Sequence, residues 1–249
     1  MTTKTLLSWS SGKDSAWALH LLRADPTIEV VGLLSTLNQA TGRVAMHAVR
    51  ERLLEQQARA LGLPLTKVFI PDPCSNEDYE AAMGAAMADA KDARVEAIAF
   101  GDLFLEDIRR YREDKLAPTG IQPLFPVWGS DTRVLSREMV DSGLRAIVTC
   151  VDPKRLPREL AGRTYDADFL DALPGDIDPC AERGEFHTFA YAGPMFEAPI
   201  PVGAGETVER DGFVFADVLP IGGHAGPPKP HQFQPPADQP ARFATNAGS

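Results

Sequence analysis

Short apolar runs alternate with segments of helical periodicity through the first 152 residues of the chain. The first run, 5–9, predicts a strand, and 14–23, whose apolar residues fall on one stripe, predicts a helix. The second run, 28–35, has an apolar centre without alternation, which is typical of a strand buried on both faces. Repeated β and α segments with short connections predict an α/β fold with a doubly wound parallel sheet of Rossmann-like type. Ligands of such sheets bind at the carboxyl ends of the strands.

Further apolar runs and helical patterns follow along the chain and indicate where it divides into regions. We predict further helices at 47–61, 76–91, 102–115 and 131–142, and further strands at 65–70, 95–100, 124–128 and 144–151. From residue 153 the alternation of strand and helix patterns ends. We predict short strands at 187–191, 206–210 and 213–218, and the last two are joined by an Asp211–Gly212 hairpin turn. We therefore predict a main domain at 1–152, a smaller α+β region at 153–220 and a disordered Pro- and Gly-rich tail at 221–249.

The charge balance and the cysteines exclude several classes of protein. Acidic residues outnumber basic ones 35 to 25, and because the net charge of -10 repels phosphate backbones, we expect no nucleic-acid partner. No stretch approaches the roughly 18 consecutive apolar residues of a membrane span, and the amino-terminal segment lacks the apolar core of a signal peptide. Cys74, Cys150 and Cys180 have neither disulfide nor metal-binding spacing. These features favour a cytoplasmic protein and leave a homodimer open.

The 10–15 loop, with the sequence SSGKDS, lies between the first predicted strand and the first predicted helix. Gly12 permits a tight turn, the helix contributes its positive amino end, and Lys13 adds a full charge. It is not a Walker A loop, because no glycine lies five residues before Gly12 and Asp14 follows the lysine. A capped helix start with a surface lysine is the alternative interpretation. Six fitting residues at the first strand-to-helix turn favour an anion-binding loop.

This loop resembles the PP-loop, SGGKDS, of the N-type ATP pyrophosphatases. In that superfamily the loop holds the β and γ phosphates of ATP, a substrate attacks the α phosphorus, and pyrophosphate leaves an adenylated substrate. The chain departs at one position, Ser11, which replaces the first glycine of the motif. A serine there must accept the backbone angles of the loop.

Three further segments narrow the resemblance to one family. Gly101 and Asp102 follow a predicted strand directly, Met46 and His47 open the predicted second helix, and the segment 180–188 reads CAERGEFHT. Together they are similar to the GD motif and the late GE-x-GE-[FY]-x-T motif of the diphthine:ammonia ligase family, over roughly residues 4–220. The resemblance implies an adenine nucleotide alpha hydrolase type of fold. One departure is Ala181, which stands where the late motif has its first glycine.

The resemblance and the residue chemistry together define a candidate site. For the nucleotide we predict Ser10, Ser11, Gly12, Lys13, Asp14, Ser15, His47, Gly101 and Asp102. For the acceptor we predict Glu106, Arg109, Glu182, Gly184, Glu185 and Thr188. Mg²⁺ is expected on Asp102, because carboxylate oxygens beside a triphosphate are its usual setting. The alternatives are helix caps for Asp14 and Asp102, a surface histidine at position 47, and a solvated helix face for Glu106 and Arg109.

Glu185 and His187 flank a phenylalanine at the start of a predicted strand, so their side chains are predicted to project to the same face. A carboxylate beside a histidine can hold an ammonium ion and accept its proton near neutral pH. We predict these two residues as catalytic, together with Lys13 and Asp14. Cys180 is predicted to be a structural thiol.

The expected function is ATP-dependent ligation, in which a carboxylate is adenylated and then amidated by ammonia, releasing AMP and pyrophosphate. The expected partners are ATP, Mg²⁺, ammonia and a carboxylate acceptor. The resemblance points to the diphthine carboxylate of elongation factor 2. The Ala- and Arg-rich composition indicates a high-GC bacterial source, in which that modification is not expected, so we expect a small-molecule carboxylate as the acceptor. Two alternatives stay open: an ATP-binding or sensing module without turnover, and a tRNA-modifying enzyme. The missing CxxC motif and the net charge of -10 weigh against the latter.

Overall fold

A computed structural model describes residues 1–44 and 47–221 of the chain. Met46 and all but the first residue of the tail predicted to be disordered lie outside the described residues. The helices are α1 (Lys13–Ala24), α2 (Glu51–Ala60), α3 (Asn76–Asp92), α4 (Glu106–Leu116), α5 (Thr132–Asp141) and α6 (Ala167–Ala172). The strands are β1 (Thr3–Ser8), β2 (Ile28–Asn38), β3 (Arg43–Val44), β4 (Leu65–Ile70), β5 (Ala97–Ala99), β6 (Gln122–Leu124), β7 (Arg145–Val151), β8 (Thr164–Tyr165), β9 (Phe186–Ala192), β10 (Val202–Arg210) and β11 (Phe213–Pro220).

The first sheet has a core of parallel strands in the order β4-β2-β1-β5-β6, and the short β3 pairs antiparallel with the end of β2. The chain runs from β1 outward to β2 and β4, and then returns to β5 and β6 on the other side of β1. The sheet is therefore doubly wound, as predicted, and its topological switch point lies between β1 and β5. A ligand is expected in the crevice beyond the carboxyl ends of these two strands.

The second sheet is antiparallel and confirms the α+β character of the carboxyl-terminal part. Its central strand, β7, pairs with β9 on one side and with β8 and β11 on the other, while β10 pairs with β11. The strand predicted at 144–151 as a continuation of the parallel sheet therefore belongs to the second sheet. An apolar run without alternation predicts burial on both faces, but it does not identify the neighbouring strands. The domain division at residue 152 stays a prediction.

Two helices begin later than predicted. α2 begins at Glu51 rather than at residue 47, because Ala48 adopts the left-handed backbone conformation with φ 54. α4 begins at Glu106 rather than at residue 102, since the backbone between β5 and Leu105 is not helical. The predicted Asp211–Gly212 hairpin turn is confirmed, and both residues have positive φ.

The core joins the two sheets and fixes the edge of the first sheet where the site lies. One apolar cluster includes Trp9 and Trp17 from the first part and Phe169, Phe186 and Phe189 from the second. Strand β9 packs against α1, so the second sheet closes over the carboxyl end of β1. None of the described helices has the length and apolar character needed to cross a membrane.

Candidate nucleotide and acceptor site

The 10–15 loop turns sharply between β1 and α1. Ser11 is fully buried and has a φ of 72, so the position where the motif has glycine requires the left-handed conformation. Holding a serine there costs on the order of 1 kcal/mol. The Ser11 carbonyl is anchored by the backbone N–H of Ala190 and by Nε2 of Gln57, each at 2.9 Å. Strand β9 and helix α2 therefore hold the loop in this shape.

Close contacts also explain why glycine occupies position 12. A Cβ on Gly12 would lie 2.8 Å from Cε1 of His47 and 3.3 Å from the carbonyl oxygen of Thr188. The Thr188 hydroxyl accepts the backbone N–H of Lys13 at 3.1 Å. Thr188, predicted as an acceptor-site residue, thus holds the loop from the side of β9.

The two serines at the ends of the motif stabilise the loop internally. Their hydroxyl oxygens, Ser10 Oγ and Ser15 Oγ, lie 3.1 Å apart. Ser15 donates to the Gly12 carbonyl at 3.0 Å, while Ser10 accepts the Gly12 N–H at 3.3 Å. The hydroxyl of Ser11 has no hydrogen-bond partner among the described residues.

Lys13 is the central charge of the site and is only 2% exposed. Its Nζ donates to Asp14 Oδ2 at 3.0 Å and to the Cys180 carbonyl at 2.5 Å, and it lies 5.2 Å from the centre of the Phe186 ring. Burial lowers the pKa of Lys13, but the charge and hydrogen bond of Asp14, together with Cys180 and Asp178, raise it by more, so the net shift of the pKa is upward. The ammonium group is therefore charged and fixed. The other carboxylate oxygen of Asp14 is buried and has no hydrogen-bond partner within residues 1–44 and 47–221.

The end of β5 lies against the same loop. A Cβ on Gly101 would come within 3.0 Å of the backbone of Asp14 and Ser15, so only glycine permits this approach. Asp102 accepts a hydrogen bond from Nε of Arg112 at 3.4 Å. The helix-cap alternatives are wrong for both aspartates, because Leu105 precedes α4 as its N-cap and Gly12 precedes α1.

His47 lies beside the loop, in the turn before α2. Its Nδ1 is 3.0 Å from the Thr188 carbonyl oxygen, which can only accept, so Nδ1 carries the proton. Its ring centre is 4.8 Å from that of His187. Burial lowers the pKa of His47 to about 4 and that of His187 well below its usual range, and Lys13 lowers both further. Both rings are neutral at ordinary pH.

Glu185 is buried at 2% exposure, and neither carboxylate oxygen has a hydrogen-bond partner among the described residues. No hydrogen bond therefore joins Glu185 to His187 among the described residues, and their joint action on an ammonium ion stays a prediction. Strand β9 begins at Phe186, so Glu185 precedes the strand and strand alternation does not set its direction. A buried carboxylate without a partner is costly unless a proton or a ligand compensates it.

Glu182, predicted as an acceptor-site residue, contacts backbone instead. Its Oε1 accepts the N–H groups of Leu103 at 2.8 Å and Phe104 at 3.4 Å, just beyond Asp102. Burial raises the pKa of Glu182 to about 7. Gly184, two residues on, adopts a positive φ of 82 that favours glycine.

Sequence reasoning missed Asp178, a buried residue whose carboxylate accepts the backbone N–H of Cys180 at 3.1 Å and of Glu182 at 2.8 Å. Aspartate commonly accepts N–H groups two residues further along the chain, and this signal could have found it. Burial raises the pKa of the Cys180 thiol, which fits the predicted structural role.

The residues predicted on α4 differ from one another. Glu106 is exposed at the first position of the helix. Arg109 is half-buried, donates to Glu113 at 2.8 Å, and lies 5.0 and 4.8 Å from the ring centres of Phe125 and Trp128. The stacked guanidinium is more ordered than a solvated helix face requires. The structure places neither residue among the direct contacts of Lys13.

Comparisons with known proteins agree with this architecture. The model of the diphthamide synthase N-terminal domain matches residues 3–122, and that of the diphthamide synthase C-terminal domain matches residues 131–217. The chain is a distant member of this family. The second match begins just before α5 and includes β7, the strand that joins the second sheet.

Relatives of the diphthamide synthase family match over most of the chain. The diphthine--ammonia ligase of Danio rerio is 29% identical over 84% of this chain and 90% of its own length. That of Homo sapiens is 25% identical over 84% of this chain and 86% of its own length. The Schizosaccharomyces pombe ligase is 30% identical over 47% of this chain and 20% of its own length.

Proposed function

We propose that this protein is an ATP-dependent ligase that adenylates a carboxylate and amidates it with ammonia, releasing AMP and pyrophosphate. The observation that carries the proposal is the buried, charged Lys13 at the amino end of α1, beside the unpartnered Ser11 Oγ and Asp14 Oδ1. Leaving a buried polar atom unpaired costs about 1–3 kcal/mol. A bound triphosphate and its metal supply partners for these atoms.

The residues present fit ATP with Mg²⁺. Asp14 and Asp102 offer carboxylate oxygens on the two sides of the contact between the 10–15 loop and Gly101. The described residues contain no group of three or more His, Cys, Asp or Glu side chains suited to hold a metal ion. Mg²⁺ at nucleotide sites commonly takes one or two carboxylates, with phosphate oxygens and water completing its shell. When bound, the ion neutralises charge on the phosphates.

Lys13 then stabilises the leaving group. An acceptor carboxylate oxygen attacks the α phosphorus, the bond to the bridging oxygen breaks, and pyrophosphate leaves with its charge offset by the ammonium group of Lys13. Ammonia attacks the acyl carbon of the adenylate, and AMP leaves with the original carboxylate oxygen. Because Lys13 is already fixed and charged, it needs no rearrangement to reach this state.

Glu185 is the group available to hold ammonium. It is a buried carboxylate with two free acceptors, and it can take the proton that ammonium must lose before its nitrogen attacks. His187 is held neutral, so its contribution is a hydrogen bond rather than a charge. We propose a small carboxylate as the acceptor, with Arg109 and Gly184 at its boundary.

Product analysis tests the proposal. The protein is incubated with Mg-ATP and a panel of small carboxylates, with and without ammonium, and AMP and pyrophosphate are quantified. We expect both products in equal amounts, dependent on ammonium, and a loss of at least a hundredfold in Lys13→Ala. The matched control is Lys115→Ala, which removes an exposed lysine paired with Glu80 and should retain activity. Release of ADP and phosphate contradicts adenylation of the acceptor, and no release of any product contradicts a ligase and favours a binding module.

A further inference from the structure

The 178–182 turn is held by hydrogen bonds between its own residues and by one from Tyr165. Asp178 accepts two backbone N–H groups within it, and the hydroxyl of Tyr165 donates to the Pro179 carbonyl at 3.0 Å. Ala181 adopts a positive φ of 55, which the same contacts enforce. Asp178 and Cys180 are both buried.

This turn touches both halves of the nucleotide site. On one side the Cys180 carbonyl accepts Nζ of Lys13 at 2.5 Å. On the other side Glu182 accepts the N–H groups of Leu103 and Phe104, which follow Asp102. One segment of the carboxyl-terminal part therefore connects the 10–15 loop with the loop after β5 across the switch point.

We propose that Asp178 is a positioning residue. By accepting backbone N–H groups within the 178–182 turn, it holds the turn in a shape that keeps Lys13 and the loop after β5 at a fixed separation. In this proposal Glu182 supports the loop after β5 through its hydrogen bonds and does not bind the acceptor. The catalytic role of Asp178 rests on the proposed function, whereas its structural role rests on the hydrogen bonds alone.

The chemistry of the two carboxylates supports different roles for them. Both oxygens of Asp178 are used within the turn, one for Cys180 and one for Glu182. Glu182 directs one oxygen to two successive backbone N–H groups. Hydrogen bonds from backbone N–H groups to a carboxylate are stronger than those to a neutral carbonyl. Loss of the charge should therefore weaken the hydrogen bonds of the 178–182 turn without changing its backbone conformation.

Amide hydrogen exchange on the full chain tests the geometry. Asp178→Asn keeps one acceptor but places an NH₂ group against the second N–H. We expect exchange at Leu103 and Phe104 to rise by about tenfold, the size of one charge-assisted hydrogen bond. Glu182→Gln retains its side-chain carbonyl as an acceptor and should raise exchange there by less than about threefold, whereas Glu182→Ala should exceed the Asp178→Asn effect. Asp176→Asn, whose side chain is 77% exposed, is the matched control and should change nothing.

Kinetics on the same variants test the positioning role. We expect Asp178→Asn to lower kcat for AMP formation by about tenfold while the KM for ATP changes by less than about threefold, because Lys13 is still present but held less firmly. Glu182→Gln should keep ammonium-dependent AMP formation within about tenfold of the parent. Because burial raises the pKa of Glu182 to about 7, we expect an inflection near pH 7 in the pH profile of the parent and none in that of Glu182→Gln.

The outcomes separate the two claims. Unchanged exchange at Leu103 and Phe104 in Asp178→Asn contradicts the positioning of the loop after β5 by Asp178. A uniform rise in exchange at all amides also contradicts it, because such a rise marks a general loss of stability. Complete loss of AMP formation in Glu182→Gln contradicts the supporting role of Glu182 and indicates that its carboxylate reacts or binds the acceptor. If the parent forms no AMP with any carboxylate, the proposed function fails, while the exchange data still decide the geometry.

Discussion

Replacement of Ser11 by glycine should stabilise the protein without ATP, although glycine usually destabilises. Relief of the left-handed conformation at φ 72 contributes about 1–2 kcal/mol, and removal of the buried, unpartnered hydroxyl contributes about 1 kcal/mol more. The greater chain entropy of glycine when unfolded opposes this by about 0.5–1 kcal/mol. The net gain is about 1–2 kcal/mol, which corresponds to a rise in Tm of roughly 2–8 °C for a chain of this size.

Thermal unfolding followed by circular dichroism, with and without Mg-ATP, measures this effect. If the Ser11 hydroxyl contacts the bound nucleotide, the gain should shrink when ATP is present, because the variant loses that contact. The contrasting variant is Ser15→Gly, which introduces glycine into α1 and removes the hydroxyl that contacts Ser10 and the Gly12 carbonyl, and it should lower the free energy of unfolding by about 1–2 kcal/mol. A lower Tm for Ser11→Gly in the free protein would refute the assignment of strain to this residue.

Three further predictions concern the walls of the site. Gly12→Ala places a Cβ 2.8 Å from the His47 ring and should lower stability by about 1–3 kcal/mol and abolish pyrophosphate release, as measured by calorimetry and product analysis; normal turnover would show that the ring moves freely. The pKa of His47 is lowered to about 4, so the parent loses stability as the pH falls from about 6.5 toward 4, by roughly 3 kcal/mol, whereas His47→Gln should not show this component in denaturant titrations at several pH values. Equal pH slopes for parent and variant would contradict burial of a neutral ring. Arg109→Lys loses the planar stack on Phe125 and should raise the KM for the carboxylate severalfold with little change in the KM for ATP, while the exposed Arg110→Lys serves as the control; equal effects of the two substitutions would remove Arg109 from the acceptor site.

Local periodicity predicts most of the fold because each amphipathic or apolar segment reports its own burial. The parallel core and the final hairpin could both be predicted in this way. The sheet to which β7 belongs could not, since an apolar run reports burial on both faces and not the identity of its neighbours. The start of α2 was also wrong, because the left-handed conformation of Ala48 has no signal in an alanine.

The candidate site shows the same division. The tight turn at Gly12 and the position of Gly101 just beyond a strand could be predicted from residue types and periodicity, whereas the close approach of Gly101 to the backbone of Asp14 and Ser15 could not. The pairing of Glu185 with His187 stays a prediction, because no hydrogen bond joins the two side chains among the described residues and Glu185 precedes the first residue of β9. The contact of Glu182 with the loop after β5 is a long-range backbone interaction, which side-chain patterns do not encode.

Transfer of oxygen from the acceptor to AMP tests the central claim most directly. A small carboxylate that supports AMP formation is labelled with ¹⁸O in both oxygens, and the AMP formed with Mg-ATP and ammonium is examined by mass spectrometry. Adenylation of the carboxylate predicts one ¹⁸O atom in each AMP phosphate and one in the amide product. AMP without label, or ADP as the nucleotide product, would contradict attack of the carboxylate on the α phosphorus held beside Lys13.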